Sequence, residues 1–484
     1  MKVGENRKIS LCIKRSELLY LCFWSLMLFA KGIGLYDGQA AYKFFLVIAF
    51  VCALVKICIT EYTYKEWAII LSLLLMSVVV YRVSGEKGIL ICMVTVVAMK
   101  NVSLKRAFGV GGIVWGIAMG GRLLISLAQI ESVQTAVQTK NILGAVLRYF
   151  MGYPHPNVLH ISYLILTVFI VYCVKETYHW KHLFILAIGN LFLFFYSYSF
   201  TGMLIVMMFL ILSYFIKKRK VGRIEYNLVR LIFPFCILFS IIFPIILKGK
   251  AFEIADKVFN NRIHLAKYFL ILQNISLFGN NLAEITTNVI TMDNSYIFAL
   301  VVYGVPVFLL ICAGYFVVVE IYIKQKKNTE LAIICSFLLA GIVEPFLFNT
   351  SFKNLTLLFV GECFFIIMKK KNDGQKEIAL IKNMDKKIFI SVDILQKTAD
   401  DIQEIWSVYR KIILTMGMII AVASGIAVNV FYQIRPEVFA IQNDNLLAYE
   451  RIRVSITAFS LGYIISVFII GSAYMVAFKK SKKK

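Results

Sequence analysis

Charge is what this sequence has least of. Charged residues make up 16% of its 484 positions, against roughly a quarter in an average soluble domain. Hydrophobic residues fill 60%, so a water-soluble globule is excluded and an integral membrane protein is expected. Paired cysteines are missing too. The ten cysteines fall singly, mostly in or beside apolar runs, with no CxxC and no Cys/His cluster. That excludes a disulfide framework and a zinc site and leaves small reduced hydrophobes. Acid is the scarcer sign, with 27 Asp and Glu against 52 Lys and Arg, for a formal net charge of +25. The basic excess does not form a nucleic-acid surface. It collects between apolar runs, in NRKISLCIKR, KKRKVGR, KQKK, KKK and the terminal KKSKKK. Such charges orient spans and contact anionic headgroups on the cytoplasmic face, so membrane lipids are expected as partners and nucleic acid is not. No cleavable leader is expected, because the first apolar run, from Leu18, is followed by many more.

Runs near the ~20 residues needed to cross a bilayer start near Leu18, Ala41, Trp67, Gly88, Ala107, Val158, Leu183, Phe200, Leu228, Ser295, Leu331 and Leu355, then again at Ile412 and Val454. They predict an all-α polytopic membrane protein of about 12 transmembrane helices plus a C-terminal pair. With a cytoplasmic N-terminus the even count returns the lysine-rich C-terminus to the cytoplasm. Two connections on the opposite face, from about Gln129 to Asn157 and from about Lys248 to Asn294, exceed ordinary lengths and are expected to be functional extracytoplasmic loops. Composition divides the chain into a membrane domain at 1–370, a cytoplasmic amphipathic linker at 371–411 and a two-span hairpin at 412–484. In the linker Ile388, Val392, Leu395, Ala399, Ile402, Trp406 and Tyr409 recur at helical spacing. The opposite face carries Asp393, Asp400, Asp401 and Glu404, which disfavour anionic lipid and point to a protein surface.

The first long loop closes on RYFMGYPHPNVLHIS, Arg148 to Ser162. Pro154 and Pro156 restrict Tyr153 and His155 to extended conformations, displaying His155 and Asn157 at the start of a span. Capping of that span by Asn157 is the structural alternative. The second loop holds NNRIHLAKYFLILQNISLFGNN and then TMDNSYIFALVVYGVP. Residues 262–272 predict a helix headed by Arg262, with Ile263, Ala266, Leu270 and Gln273 on one face and LFG as its breaker. A guanidinium suits pyrophosphate because its fork meets two oxygens at once; a headgroup contact is the alternative. Asp293 and Asn294 precede a span, where Asp293 is either functional or a cap. Arg122 interrupts GIAMGGRLLISLAQI in the fifth span, as a functional charge or a snorkelling one.

The order of these segments, with YSYSFTG between them, resembles the Wzy-type polysaccharide polymerases, which share a wider superfamily with the O-antigen ligases. The resemblance covers about residues 10–370. Two departures mark it: Tyr153 and Pro154 stand between Gly152 and His155, and Phe200 replaces the usual arginine before Thr201. The resemblance implies glycosyl transfer at the outer face of a bacterial cytoplasmic membrane. A glycan on undecaprenyl diphosphate passes to the non-reducing end of one lipid-linked repeat unit, releasing undecaprenyl diphosphate. Such transfer needs cations on the departing diphosphate and a group to take the acceptor proton. Arg148, Arg262 and Arg122 are assigned to the first role and His155 to the second, with Asp293 as its substitute. Asn157 and Asn294 fall in the same motifs and are assigned to substrate binding. No Asp-x-Asp pair occurs in the outer loops, so no metal or other cofactor is expected. The rival is a lipid-linked oligosaccharide flippase, disfavoured because no repeated halves are visible. The stretch IQEIWSVYRKIILTMGMIIAVASGIAVNVFYQIRPEV resembles the start of the Wzz-type chain-length co-polymerases. It implies a tail that affects chain length, through a chain-length regulator or other assembly protein, while bond formation survives its removal.

Overall fold

In a bilayer the backbone must satisfy its own hydrogen bonds, so apolar runs of this length fold as helices. The computed structural model describes residues 10–140, 144–218, 221–259, 261–286, 290–371, 375–391, 393–441 and 443–481, and is 75% helical. The first membrane run comprises α1 (Arg15–Gly32), α2 (Ala40–Ile59), α3 (Tyr64–Ser84), α4 (Gly88–Val97) and α5 (Leu104–Ala128). After the first long connection come α6 (Pro156–Cys173), α7 (Trp180–Ser197), α8 (Phe200–Lys218), α9 (Arg223–Ile241) and the short α10 (Phe243–Ile246). The second connection carries α11 (Gly249–Val258), α12 (Arg262–Leu272) and α13 (Leu282–Ile285). Then follow α14 (Ser295–Tyr303), α15 (Val305–Lys324), α16 (Asn328–Ala340), α17 (Thr356–Lys371), α18 (Asp393–Phe431), α19 (Pro436–Ala440) and α20 (Asp444–Ser481).

Among the described residues ten helices are long and apolar enough to cross a membrane. The protein is therefore a multi-pass helical membrane protein, and the runs at Gly88 and Leu331, which form helices of 10 and 13 residues, account for part of the difference from the expected number. The run at Ser295 is broken into the 9-residue α14 and the 20-residue α15, and the latter is one of the ten. Every residue of α14 is buried, as are all but one of α4. A helix surrounded by protein need not match the bilayer, because its ends finish against other polar backbone rather than lipid. The break between α14 and α15 falls at Gly304, φ +83°, where a Cβ would lie 2.3 Å from the Leu277 carbonyl oxygen. Gly279 meets the same crossing from the segment after α12, where an added Cβ would lie 1.8 Å from the Val302 carbonyl oxygen. The LFG turn after α12 is thus wedged into the broken helix, and Val305 N–H donates to the Ser276 carbonyl at 3.2 Å.

Among the described residues three two-stranded antiparallel ladders join the helices. β1 (Ser10–Lys14) pairs with β6 (Lys387–Ser391), β2 (Tyr62–Thr63) with β5 (Glu377–Ile378), and β3 (Thr135–Lys140) with β4 (Gly144–Tyr149). The first two ladders gather one polar rim. There Lys100 pairs with Glu66 at 2.7 Å and Glu377 at 2.9 Å, and Arg106 grips Glu17 at 2.6 Å. The β3–β4 hairpin belongs to the rim at the other ends of the same helices, with the connections 247–294 and 341–355.

The linker departs from the expected stripe. Ile388 lies in β6 opposite Ile13, Val392 lies outside the described residues, and the helix begins at Asp393. It then runs unbroken into the membrane for 39 residues, so the 411/412 division falls inside α18. Ile402 and Trp406 are exposed while Ile405 is buried, because α20 covers the side carrying Ile405 and Tyr409. Tyr409 stacks on Tyr474 with centroids 4.5 Å apart. Small residues let the two helices approach closely: a Cβ on Gly462 would lie 2.7 Å from the Ser424 hydroxyl.

Candidate active site

Strand alternation sends Leu147 and Tyr149 to one face of β4 and Arg148 to the other. Arg148 is buried, and three neutral acceptors hold its guanidinium. Its Nε donates to the Ser197 carbonyl at 2.7 Å, one terminal nitrogen to Gln138 Oε1 at 2.8 Å, and the other to Asn157 Oδ1 at 2.7 Å. Burial pushes its pKa down to about 10, with Glu344 acting the other way. It remains cationic at neutral pH.

The Asn157 amide continues the chain of contacts by donating to Glu344 Oε1 at 3.3 Å. Glu344 lies in the 341–355 connection, and the same oxygen stands 3.5 Å from Arg262. On its other side Arg262 Nε lies 3.8 Å from Asp293. These are charge contacts longer than good hydrogen bonds, and Arg262 Nε is buried with no hydrogen-bond partner among the described residues. Each nitrogen of Arg148 therefore already holds one acceptor, with a second N–H left on each terminal nitrogen, whereas Arg262 keeps more of its donor capacity for a further oxyanion. Burial pushes the Glu344 carboxyl up to about 7, opposed by Arg262 and reinforced by Asp293. Lys353, in the same connection, donates to the Val158 carbonyl at 3.1 Å. Burial lowers its pKa to about 7, helped by Lys31 and opposed by Glu344.

Four of the sequence-selected residues, Arg148, Asn157, Arg262 and Asp293, thus join one connected set. The other three make their observed contacts elsewhere. His155, not Asn157, is the N-cap of α6: its Nδ1 accepts from the Asn157 N–H at 3.1 Å. Pro156 suits the first helical position because it has no N–H to leave unpaired there, so the helix starts at Pro156, His155 becomes its cap, and the Asn157 side chain is left for Arg148 and Glu344. Asn294, not Asp293, caps α14, accepting from Tyr296 N–H at 2.9 Å and Ile297 N–H at 3.1 Å. Its amide also donates to Ser240 Oγ and to the Ile342 carbonyl, and Asp293 is left for Arg262. Arg122 lies against Gly152, whose added Cβ would fall 1.7 Å from Arg122 Nε. The contact requires a glycine there.

Sequence reasoning missed Glu344, Lys353 and Gln138. Glu344 had a faint signal, as a single acid before a proline at the end of the apolar run from Leu331, but its connection is short and was not singled out. His160 was missed as well. It is fully buried, with Nδ1 2.9 Å from Ser197 Oγ and Nε2 2.6 Å from Asn190 Oδ1, and so supports the YSYSFTG turn whose Ser197 carbonyl holds Arg148.

Chemically, the cluster offers two guanidiniums for oxyanions and one carboxylate whose basicity burial has raised toward neutrality. Comparison with family models, with curated proteins and with solved structures found no match to this chain.

Proposed function

We propose that this chain is a polysaccharide polymerase of the bacterial cytoplasmic membrane, joining undecaprenyl-diphosphate-linked repeat units at the outer face. The observation that supports it is the lodging of Glu344 between Arg262 and the Arg148–Asn157 arm, where both long connections meet. In this reading the acceptor hydroxyl attacks the anomeric carbon of the donor glycan. The new glycosidic C–O bond forms as the bond from that carbon to the diphosphate oxygen breaks. The hydroxyl proton passes to Glu344, and undecaprenyl diphosphate departs toward Arg262 and Arg148. Each guanidinium stabilises charge that grows on the leaving group, the kind of preorganised contact worth most in a site with little water. Glu344 replaces His155 as the proposed base, since the Nδ1 of His155 is spent on its helix cap.

A strain lacking the chain tests the reading. Single lipid-linked repeats accumulate on the outer leaflet if transfer is lost; accumulation on the inner leaflet would make the protein a flippase instead.

The orientation follows from the basic connections. In this reading the chain makes fourteen passes, with the β1–β6 rim cytoplasmic and the β3–β4 rim outside, a sidedness supported by the basic residues between the spans. Substitutions Val137→Cys and Lys250→Cys, in a background with the ten native cysteines replaced, react with an impermeant thiol reagent in intact cells. Asp400→Cys reacts only after permeabilisation. Labelling of Asp400→Cys in intact cells would invert the topology.

A further inference from the structure

The C-terminal helix pair bears two of the most deeply buried charges in the protein. Glu450 and Arg453 on α20 have side chains 0% and 1% exposed and pair at 2.7 Å. Burying an ion pair is costly unless its remaining donors and acceptors are used. Most are used here, and by the outer rim of the membrane domain. Glu450 Oε1 accepts from the Tyr149 hydroxyl at 2.5 Å. Arg453 Nε donates to the Phe195 carbonyl at 3.0 Å, and its guanidinium lies over the rings of Tyr149 and Tyr198, 4.6 Å and 5.4 Å from their centroids. One turn further on, Thr457 meets the Tyr196 hydroxyl at 2.6 Å. Arg435, between α18 and α20, donates to the Ile130 carbonyl at the start of the hairpin connection.

The residues gripped this way flank those that hold Arg148. Tyr149 is its neighbour on β4, presented to α20 by strand alternation while Arg148 turns to the opposite face. Phe195, Tyr196 and Tyr198 bracket Ser197, whose carbonyl accepts from Arg148 Nε. We infer that the C-terminal pair is a positioning clamp for Arg148, with Glu450 and Arg453 holding the β3–β4 hairpin and the α7–α8 turn in register around it. The role in transfer rests on the proposed polymerase reading; the grip on the hairpin does not. The inference reverses the sequence-based expectation that ending the chain after Met368 spares bond formation. The partner of the tail is this chain's own outer rim. At 1.5 Å per residue α18 and α20 each run for about 57 Å, long enough to reach from the outer rim to the opposite one.

The test uses the full-length protein in liposomes, with lipid-linked repeats extracted from the deletion strain as substrate. The variants are Glu450→Gln, Arg453→Lys, and the double Glu450→Gln/Arg453→Gln, which removes both buried charges together in case a single change prevents folding. Amide hydrogen exchange of residues 144–149 is expected to accelerate at least tenfold while that of α6 is unchanged. Transfer is expected to fall at least tenfold through a raised KM for the lipid-linked donor. Adding Glu450→Gln to Arg148→Ala is expected to cost nothing further, because Glu450 acts through Arg148. Unchanged exchange in the hairpin overturns the clamp. Accelerated exchange with undiminished transfer overturns its positioning role, as does full additivity with Arg148→Ala. If Arg148→Ala itself transfers normally, the polymerase reading of the site fails, and the clamp is judged by exchange alone.

Discussion

Replacing Arg262 by alanine is expected to abolish polymer while membrane-inserted protein stays at its normal level. In the cluster Arg262 is the guanidinium with more spare capacity: its contacts to Asp293 and Glu344 are 3.8 Å and 3.5 Å long, and its Nε has no hydrogen-bond partner among the described residues. Loss of one donor aimed at developing charge costs about 3–4 kcal/mol, or on the order of 100- to 1,000-fold in rate. The change acts a second time through Glu344, because Arg262 is the leading charge opposing the burial that raises that carboxyl. Without it Glu344 holds its proton to higher pH, so the cluster loses a cation and part of its base together. Arg262→Lys retains partial activity, since an ammonium supplies charge without the two-pronged geometry. Gel profiles of surface polysaccharide, with membrane protein quantified in parallel, decide the matter. Normal polymer from Arg262→Ala would reduce the residue to a headgroup contact.

The second large effect is a pH profile that Glu344→Gln erases. Burial raises the Glu344 pKa to about 7, so the carboxylate is the minority form below that pH and the majority form above it. A base works as the carboxylate; transfer in liposomes should therefore fall about tenfold per unit as pH drops below 7, and level off above it. Were Glu344 the proton donor instead, the slope would have the opposite sign. Glu344→Gln is similar in shape, but cannot accept the proton, and is expected to lower transfer about 100-fold or more at pH 8 and to flatten the acid limb. A limb that persists in Glu344→Gln belongs to another group, and the carboxylate would then be only a brace for Arg262 and Asn157.

How much of this was legible beforehand differs residue by residue. The 262–272 helix was readable because the period that buries Ile263, Ala266 and Leu270 is local, and so was the LFG break. The β3–β4 hairpin was not, because a two-stranded ladder standing on a membrane domain carries too short an alternating pattern to separate from a loop. Caps were misjudged in both motifs, by two residues at α6 and by one at α14. At α6 the reason is that Pro156, suited to the first helical position, starts the helix ahead of Asn157; at α14 it is that Asn294 reaches two backbone donors while Asp293 faces Arg262. The stripe from Ile388 to Tyr409 failed where strand pairing took Ile388 into the β1–β6 ladder.

Sequence by itself determined the class of solvent this protein lives in and the course of its helices. Apolar length, basic punctuation and the identities of Arg148, Asn157, Arg262 and Asp293 are properties of neighbouring residues, and a helix in lipid satisfies its own backbone within one segment. Only the tertiary structure decided that Glu344, 187 positions beyond Asn157, sits among those residues, and that Glu450 and Arg453 reach back some 300 positions to Tyr149. The physical reason is that the energetics of a buried charge depend on which partners share its low-dielectric surroundings, and no local pattern records a partner brought in from the far end of the chain.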